Sequence, residues 1–308
     1  MATDYSYIGK GKWYAKVVGS ADAPEEVGNV SAASFGVTEE SKEQLDYTSA
    51  GGGLRNSISR VTGVSLNMTA TDYSPGNFQK MLRAVTSAVA ADAVTGEAHL
   101  VYAAGGLARF TFMPAASPAP TVATPGATAA SRVNSDPMTL GEYYVPAVAN
   151  GFYYKVTTAG TTDAAPPTFG TTIGGTTVDG TATVTCAGKV ALVSGTDYNI
   201  TGSGLAVTAG ASMNGETWTV GYTKAVADDV QALCASGQEY EFTFEGLNEA
   251  RSGKRSNIVV HRVSLTPAQQ LALISDDYGA LEIVGKVLQD TTKNGTTVSQ
   301  YFSTQIER

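Results

Sequence analysis

Apolar and polar positions alternate with a period of two over much of this chain, most regularly towards its two ends. Residues 29–39 (NVSAASFGVTE) read as a strand. Ile58, Val64, Leu66 and Met68, set among Ser, Thr and Asn, predict a second strand with one buried face, because successive strand side chains point to opposite sides. Between them lies Tyr47-Thr-Ser-Ala-Gly-Gly-Gly-Leu-Arg-Asn-Ser57. Its glycine run cannot pack a core and predicts a loop free to adopt positive φ and to lie close to another backbone. Ser74-Pro75 then supplies an N-cap residue followed by proline at the first helical position. Phe78, Met81, Leu82, Val85 and Val89 fall on one stripe, which predicts a helix from 75 to about 90.

After residue 228 the alternation returns. Tyr240, Phe242 and Phe244 face one way, and Glu239, Glu241 and Glu245 the other. Ile258, Val259, Val260 and Val263 bracket His261 and Arg262, and Leu281, Ile283 and Val287 alternate with Glu282 and Lys286. Between these blocks the character changes. Residues 113–136 are rich in Pro, Ala, Ser and Thr, and an extended linker is expected over 115–137. Residues 138–225 are dominated by Thr, Gly, Val and Ala, with short strands expected at 152–157, 182–186, 190–193, 205–208 and 218–222. The expected fold is mainly β. Residues 1–114 and 226–308 form one discontinuous β-sandwich or barrel-forming domain with one packed α-helix. It is interrupted by the linker and by a small Ig-like β-sandwich at 138–225. Such insertions are tolerated because loop closure costs rise slowly with length.

Composition narrows the function classes. The chain has 308 residues and a net charge of −8, which argues against a nucleic-acid binder, since displacing counterions from phosphates needs a basic footprint. No apolar run approaches the ~20 residues of a membrane-spanning helix. The N-terminus lacks the basic and apolar regions of a signal peptide, so folding in the cytosol is expected.

The two cysteines, Cys186 and Cys234, have no metal-binding or redox spacing. His99 and His261 have no serine and carboxylate placed to make a nucleophile system. The acid pairs Glu39-Glu40, Asp228-Asp229 and Asp276-Asp277 read as solvated turns. Gly9-Lys10-Gly11-Lys12 is too short for a phosphate loop. The expectation is therefore no enzyme, no catalytic residue, no cofactor and no metal.

Several stretches together resemble the tail tube proteins of long-tailed bacteriophages. They are Tyr7-Ile-Gly-Lys-Gly-Lys12, Gly28-Asn-Val30, Asp46-Tyr-Thr-Ser-Ala-Gly-Gly-Gly-Leu54, Leu66-Asn-Met68 and Asp72-Tyr-Ser-Pro-Gly-Asn-Phe78. Far downstream come Phe242-Thr-Phe-Glu-Gly-Leu-Asn248, Val263-Ser-Leu-Thr-Pro267 and Leu281-Glu-Ile-Val-Gly-Lys-Val-Leu288. The order and spacing of these pieces carry the resemblance, over roughly the first 110 and last 80 residues.

The middle has a likeness of its own. Gly151-Phe-Tyr-Tyr-Lys-Val-Thr-Thr-Ala-Gly-Thr161, Pro166-Pro-Thr-Phe-Gly-Thr-Thr-Ile-Gly-Gly175 and Asp179-Gly-Thr-Ala-Thr-Val-Thr-Cys186 look like a small module of phage tail and baseplate proteins. Phe169 and Val184 stand where its usual tryptophans are expected. Ser194-Gly-Thr-Asp-Tyr-Asn-Ile200 through Trp218-Thr-Val-Gly-Tyr222 is similar to β-hairpin segments inserted in the tail family.

The resemblance implies a structural virion protein. Six copies would join their sheets into a β-barrel ring around a channel, and rings would stack into a tube. The tube would be built in the host cytoplasm with tape-measure and tail-completion proteins, and DNA would pass through without specific binding during genome ejection. It also implies that Leu45, Asp46, Tyr47, Thr48, Ser49, Ala50, Gly51, Gly52, Gly53 and Leu54 form the ring-stacking loop. Glu241, Glu245 and Glu282 are candidate lumen acids, since an acidic wall repels phosphates. An alternative of another class is a carbohydrate-binding or adhesin-like β-sandwich protein, with Tyr153, Tyr154, Tyr198, Tyr222 and Trp218 as sugar-stacking platforms.

Overall fold

A computed structural model describes residues 5–48, 50–101, 106–208 and 215–308. The fold is mainly β, with one α-helix among the described residues. The chain divides into two compact units. The first is Met1–Ser87 with Asp228–Arg308, and the second is Ala88–Ala227.

The first unit is built on one eight-stranded antiparallel sheet. Its strands, in chain order, are β1 (Gly9–Val17), β2 (Glu25–Gly28), β3 (Val30–Leu45), β4 (Leu54–Ala70), β5 (Glu239–Asn248), β6 (Lys254–Thr266), β7 (Leu281–Val287) and β8 (Phe302–Ile306). Their order across the sheet is β2-β1-β5-β6-β7-β4-β3, and β8 pairs with β6. The long β6 serves two partners in succession along one edge: Ser256–Val260 meet β8, and Val263–Thr266 meet β7.

One face of this sheet carries the core: Trp13 and Ala15, Phe242 and Phe244, Val260 and Val263, Leu281 and Ile283, Leu66 and Met68. The alternation read from the sequence thus sends the aromatic residues of β5 inward and its glutamates outward.

Helix α1 (Pro75–Met81) starts as the Ser-Pro pair predicts. Ser74 Oγ accepts from the Asn77 N–H at 3.2 Å, and buried Met81 packs into the core. The buried Asn77 side chain donates to the Val27 and Asp72 carbonyls, both at 2.8 Å, and so ties the helix to β2. The expected extension to residue 90 does not form. Arg83 takes a left-handed φ of 47°, and Val85–Val89 is a strand paired with Ala227–Gln231. Val85, Thr86 and Val89 are β-branched and fit extended backbone better than a helix, so the periodic stripe beyond Leu82 was misleading. These two paired segments are the places where the chain crosses between units.

The second unit holds two β modules, one nested in the other. Ala93–Val101 and Thr121–Ala123 flank Glu216–Thr223, while Tyr198–Thr201 and Leu107–Arg109 flank Gly204–Val207. Val101, Phe110, Leu205, Trp218 and Tyr222 share their core. Between Thr121–Ala123 and Tyr198–Thr201 the chain builds the other module. It is a five-stranded sheet in the order Thr176–Asp179, Ala182–Lys189, Phe152–Thr158, Tyr143–Val145, Ala130–Ser131, around Met138, Tyr144, Tyr154, Val184 and Cys186.

Three expectations change here. The boundaries lie at 87/88 and 227/228, rather than 114/115 and 225/226, because Ala93–Val101 and Leu107–Arg109 pair with strands of the second unit. Residues 115–137 are not a linker. They contribute Thr121–Ala123, a 3-10 turn at Pro125–Ala127 and Ala130–Ser131, and Gly126 lies so close to the Tyr153 ring that a Cβ there would be 2.5 Å from it. Small side chains that look like linker composition are here the fit of a sheet edge. No strand forms at 190–193.

Candidate self-assembly surface

The hairpin of β3 and β4 is the most unusual element of the first unit. Its strands run 16 and 17 residues and pair from Val30–Ala70 out to Leu45–Leu54. Only the inner half covers a core, through Val64, Leu66, Met68 and Ala70. Beyond it, residues 37–45 and 54–62 are all exposed. An arm of extended backbone therefore projects past the core that anchors it.

The pairing shifts between Thr38 and Glu39, opposite Gly63 and Val61, so Thr62 is the extra residue of a β-bulge. The bulge reverses the parity of β4 from Val61 to Asn56, and a second shift between Gln44 and Leu45, which leaves Arg55 as the extra residue, restores it at Leu54. Val61 joins the face of Val64, while Ile58, which shares even numbering with Val64, Leu66 and Met68, points to the other face. Ile58 is exposed, contrary to the period-two expectation. The arm so carries Val37, Leu45, Leu54 and Val61 on one face and Ile58 on the other, among Ser, Glu, Lys and Arg. Across the strands Glu40 stands opposite Arg60.

At the tip, the Asp46 carboxylate accepts from Thr48 N–H at 2.8 Å and Thr48 Oγ at 2.6 Å, and Asp46 N–H donates to the Gly53 carbonyl at 2.7 Å. Gly51 and Gly52 take φ of 112° and 60°, which the glycine run permits. Of the predicted loop, Leu45 and Leu54 are the last and first strand residues, while Asp46, Tyr47, Thr48, Ala50, Gly51, Gly52 and Gly53 make the turn. Ser49 lies outside the described residues. Arg55, Asn56 and Ser57 belong to β4 rather than to the loop. Tyr47 is 86% exposed, an aromatic ring held at the end of the arm.

Backbone groups on the arm are as open as its side chains. No strand among the described residues pairs with the outer edge of β3, and β4 meets β7 only from Val64 to Ala70. Unpaired N–H and C=O rows of this length are templates for strand addition.

Glu241, Glu245 and Glu282 all lie on the sheet face opposite the core. They are not an isolated acidic patch. In register, Lys16 stands opposite Glu241 and Lys12 opposite Glu245, and Lys286 shares the outer face of β7 with Glu282. Lys12 also bonds Glu26 at 3.1 Å, and that hydrogen bond with its charge raises the Lys12 pKa above the ordinary lysine value.

A second exposed apolar group has no periodic signature in the sequence. Leu273, Ile274 and Tyr278, in the segment between β6 and β7, are almost fully solvent-facing. Their signal was the run LALI beside Asp-Asp in a stretch without periodicity. The proposed sugar platforms are absent as surfaces: Tyr153, Tyr154, Tyr198, Tyr222 and Trp218 are all buried in the cores of the second unit. Phe169 and Val184, at the tryptophan positions, pack against or within the core of the nested module. Cys186 is buried and Cys234 exposed, both as free thiols. Among the described residues no cluster of three or more potential metal ligands occurs, and no helix is long and apolar enough to cross a membrane.

A family profile matches the chain over residues 6–167 and 139–305, under the description "Protein of unknown function UCP028589". No curated protein matches the chain.

Proposed function

The chain belongs to that family, and we propose that it is a structural protein of a phage tail, assembling with copies of itself as stacked hexameric rings that form the tail tube. The observation that carries this reading is the β3–β4 arm. Long strands with exposed apolar side chains and open hydrogen-bonding edges are an aggregation hazard in a monomer. Pairing with a second copy would satisfy both, and a closed ring of joined sheets would leave no edges. The tip residues Leu45 to Leu54 would stack one ring on the next. The face bearing Glu241, Glu245 and Glu282 would line the channel. There the interleaved lysines bring the local charge close to balance, so DNA would meet no basic track to bind. The partners are then further copies, tape-measure and tail-completion proteins, and DNA in transit. No catalytic step or cofactor belongs to this role.

Negative-stain electron microscopy with sedimentation analysis of the full chain, over a range of concentrations, tests the proposal. Six-fold rings or tubes are expected. A species that stays monomeric at every concentration, and does not join a tail assembled in its presence, would overturn it.

A further inference from the structure

We propose that the corner where α1 ends against the 233–240 segment is a pocket for an oxyanion, held by the guanidinium of Arg83. Arg83 sits at a left-handed φ of 47°, and Leu233, facing it, at 60°. Neither is glycine, so each holds a conformation that disfavours its side chain and that the surroundings must enforce. The enforcement is visible: Leu233 N–H donates to the Leu82 carbonyl at 2.8 Å, and Ala235 N–H to the Arg83 carbonyl at 3.0 Å. The strained backbone aims the Arg83 side chain across Gly237, where a Cβ would come within 3.1 Å of the guanidinium carbon and of Nη2. A side chain at 237 would crowd the guanidinium and push it by a few tenths of an ångström.

Among the described residues the guanidinium so placed makes no hydrogen bond at its buried Nε, and the side chain makes no ion pair. Buried donors of a charged group are costly to leave unmade, which points to a ligand. A cavity of about 120 Å³ opens beside it, lined by Gln79, Lys80, Ser236 and Gln238, with no carboxylate among its lining residues. Lys80 bonds Glu25 at 2.7 Å, so Arg83 is the cation left unneutralised. A planar fork of donors in a carboxylate-free cavity suits a phosphate or carboxylate held by two N–H groups. That chemistry is offered equally by a free anion and by an acidic side chain of a second copy.

Arg83→Gly separates the pocket from the fold, because glycine is at ease at this φ and the variant keeps every backbone bond. Calorimetric and thermal-shift titration with inorganic phosphate, at fixed ionic strength against chloride, is the test. Saturable binding is expected for the native chain. In Arg83→Gly it weakens about tenfold or more, with no loss of melting temperature in the absence of phosphate. Arg83→Lys falls between the two. An equal phosphate response in Arg83→Gly and the native chain, or no saturable response in the native chain, overturns the proposal. Sedimentation of the same samples distinguishes the sources. Phosphate that dissociates assemblies marks a carboxylate of a second copy as occupant, and phosphate that leaves them unchanged marks a free anion. The binding measurement stands whether or not the chain forms tubes.

Discussion

Asp179 shows how one residue fixes a module. Its buried carboxylate accepts from Arg132 Nε at 2.7 Å and Nη2 at 2.6 Å, from Asp163 N–H at 2.9 Å and from Tyr144 Oη at 3.2 Å. Burial pushes the carboxyl pKa up, but the Arg132 hydrogen bonds with the other donors outweigh it and hold it below the ordinary value. Every guanidinium nitrogen of Arg132 is bonded, through Asn134 and the Asp163 and Ala165 carbonyls as well. Asp179→Ala would leave a buried guanidinium uncompensated and should cost about 3–5 kcal/mol, read as lost hydrogen-exchange protection over 130–189. A folded carboxyl below its unfolded value stabilises fully above the unfolded pKa of 3.8, and that stability is lost as pH falls through the lower folded value. Acid melting below about pH 4 should therefore be less steep in Asp179→Asn than in the native chain. Equal slopes would show that other carboxylates control acid unfolding. The sequence offered Asp179 only as part of Asp-Gly-Thr. Its partner lies 47 positions away, inside what looked like a linker.

At the scale of elements, the arm makes the sharpest prediction. Leu45 and Leu54 face each other at its end and touch no core, so Leu45→Asp with Leu54→Asp should change monomer stability by no more than about 0.5 kcal/mol per site. In an assembly that buries the arm, the same pair of charges would abolish rings or long tubes. Tubes of normal length from the double variant would remove the arm from the interface. The two strands were legible in outline, since Val64, Leu66 and Met68 alternate. Their full length was not, because outside the core nothing constrains residues 37–45 to be apolar on one face. The bulge at Thr62 was likewise invisible, and with it the reversal of Ile58. Helix α1 announced its start through Ser74 and Pro75, but its end depends on Arg83 being held left-handed by hydrogen bonds from 233 and 235, far along the chain.

For the whole molecule, the boundary at 87/88 and 227/228 decides which excision is clean. Removing 138–225 would take away Gly204–Val207 and Glu216–Thr223, leaving Ala93–Val101 and Leu107–Arg109 without partners and Val101 and Phe110 without a core. Removing the second unit, and closing the paired Val85–Val89 and Ala227–Gln231 segments with a short glycine turn, leaves the eight-stranded sheet intact. That variant should show one cooperative thermal transition and, if the tube proposal holds, still assemble. Loss of cooperative melting would mean that the first unit depends on the second to fold. The sequence by itself determined the fold class, the two ends as one sheet system and the face that each strand buries where it covers the core, though not along the arm, where Ile58 turns outward. Those follow from local alternation, which hydrophobic burial enforces wherever a strand covers a core. Tertiary structure alone decided the reach of the arm, the end of the helix, the nesting of one module within another and the unbonded Nε of Arg83. Each depends on pairings between residues distant in the chain, and no local pattern records which backbone donor will find which acceptor.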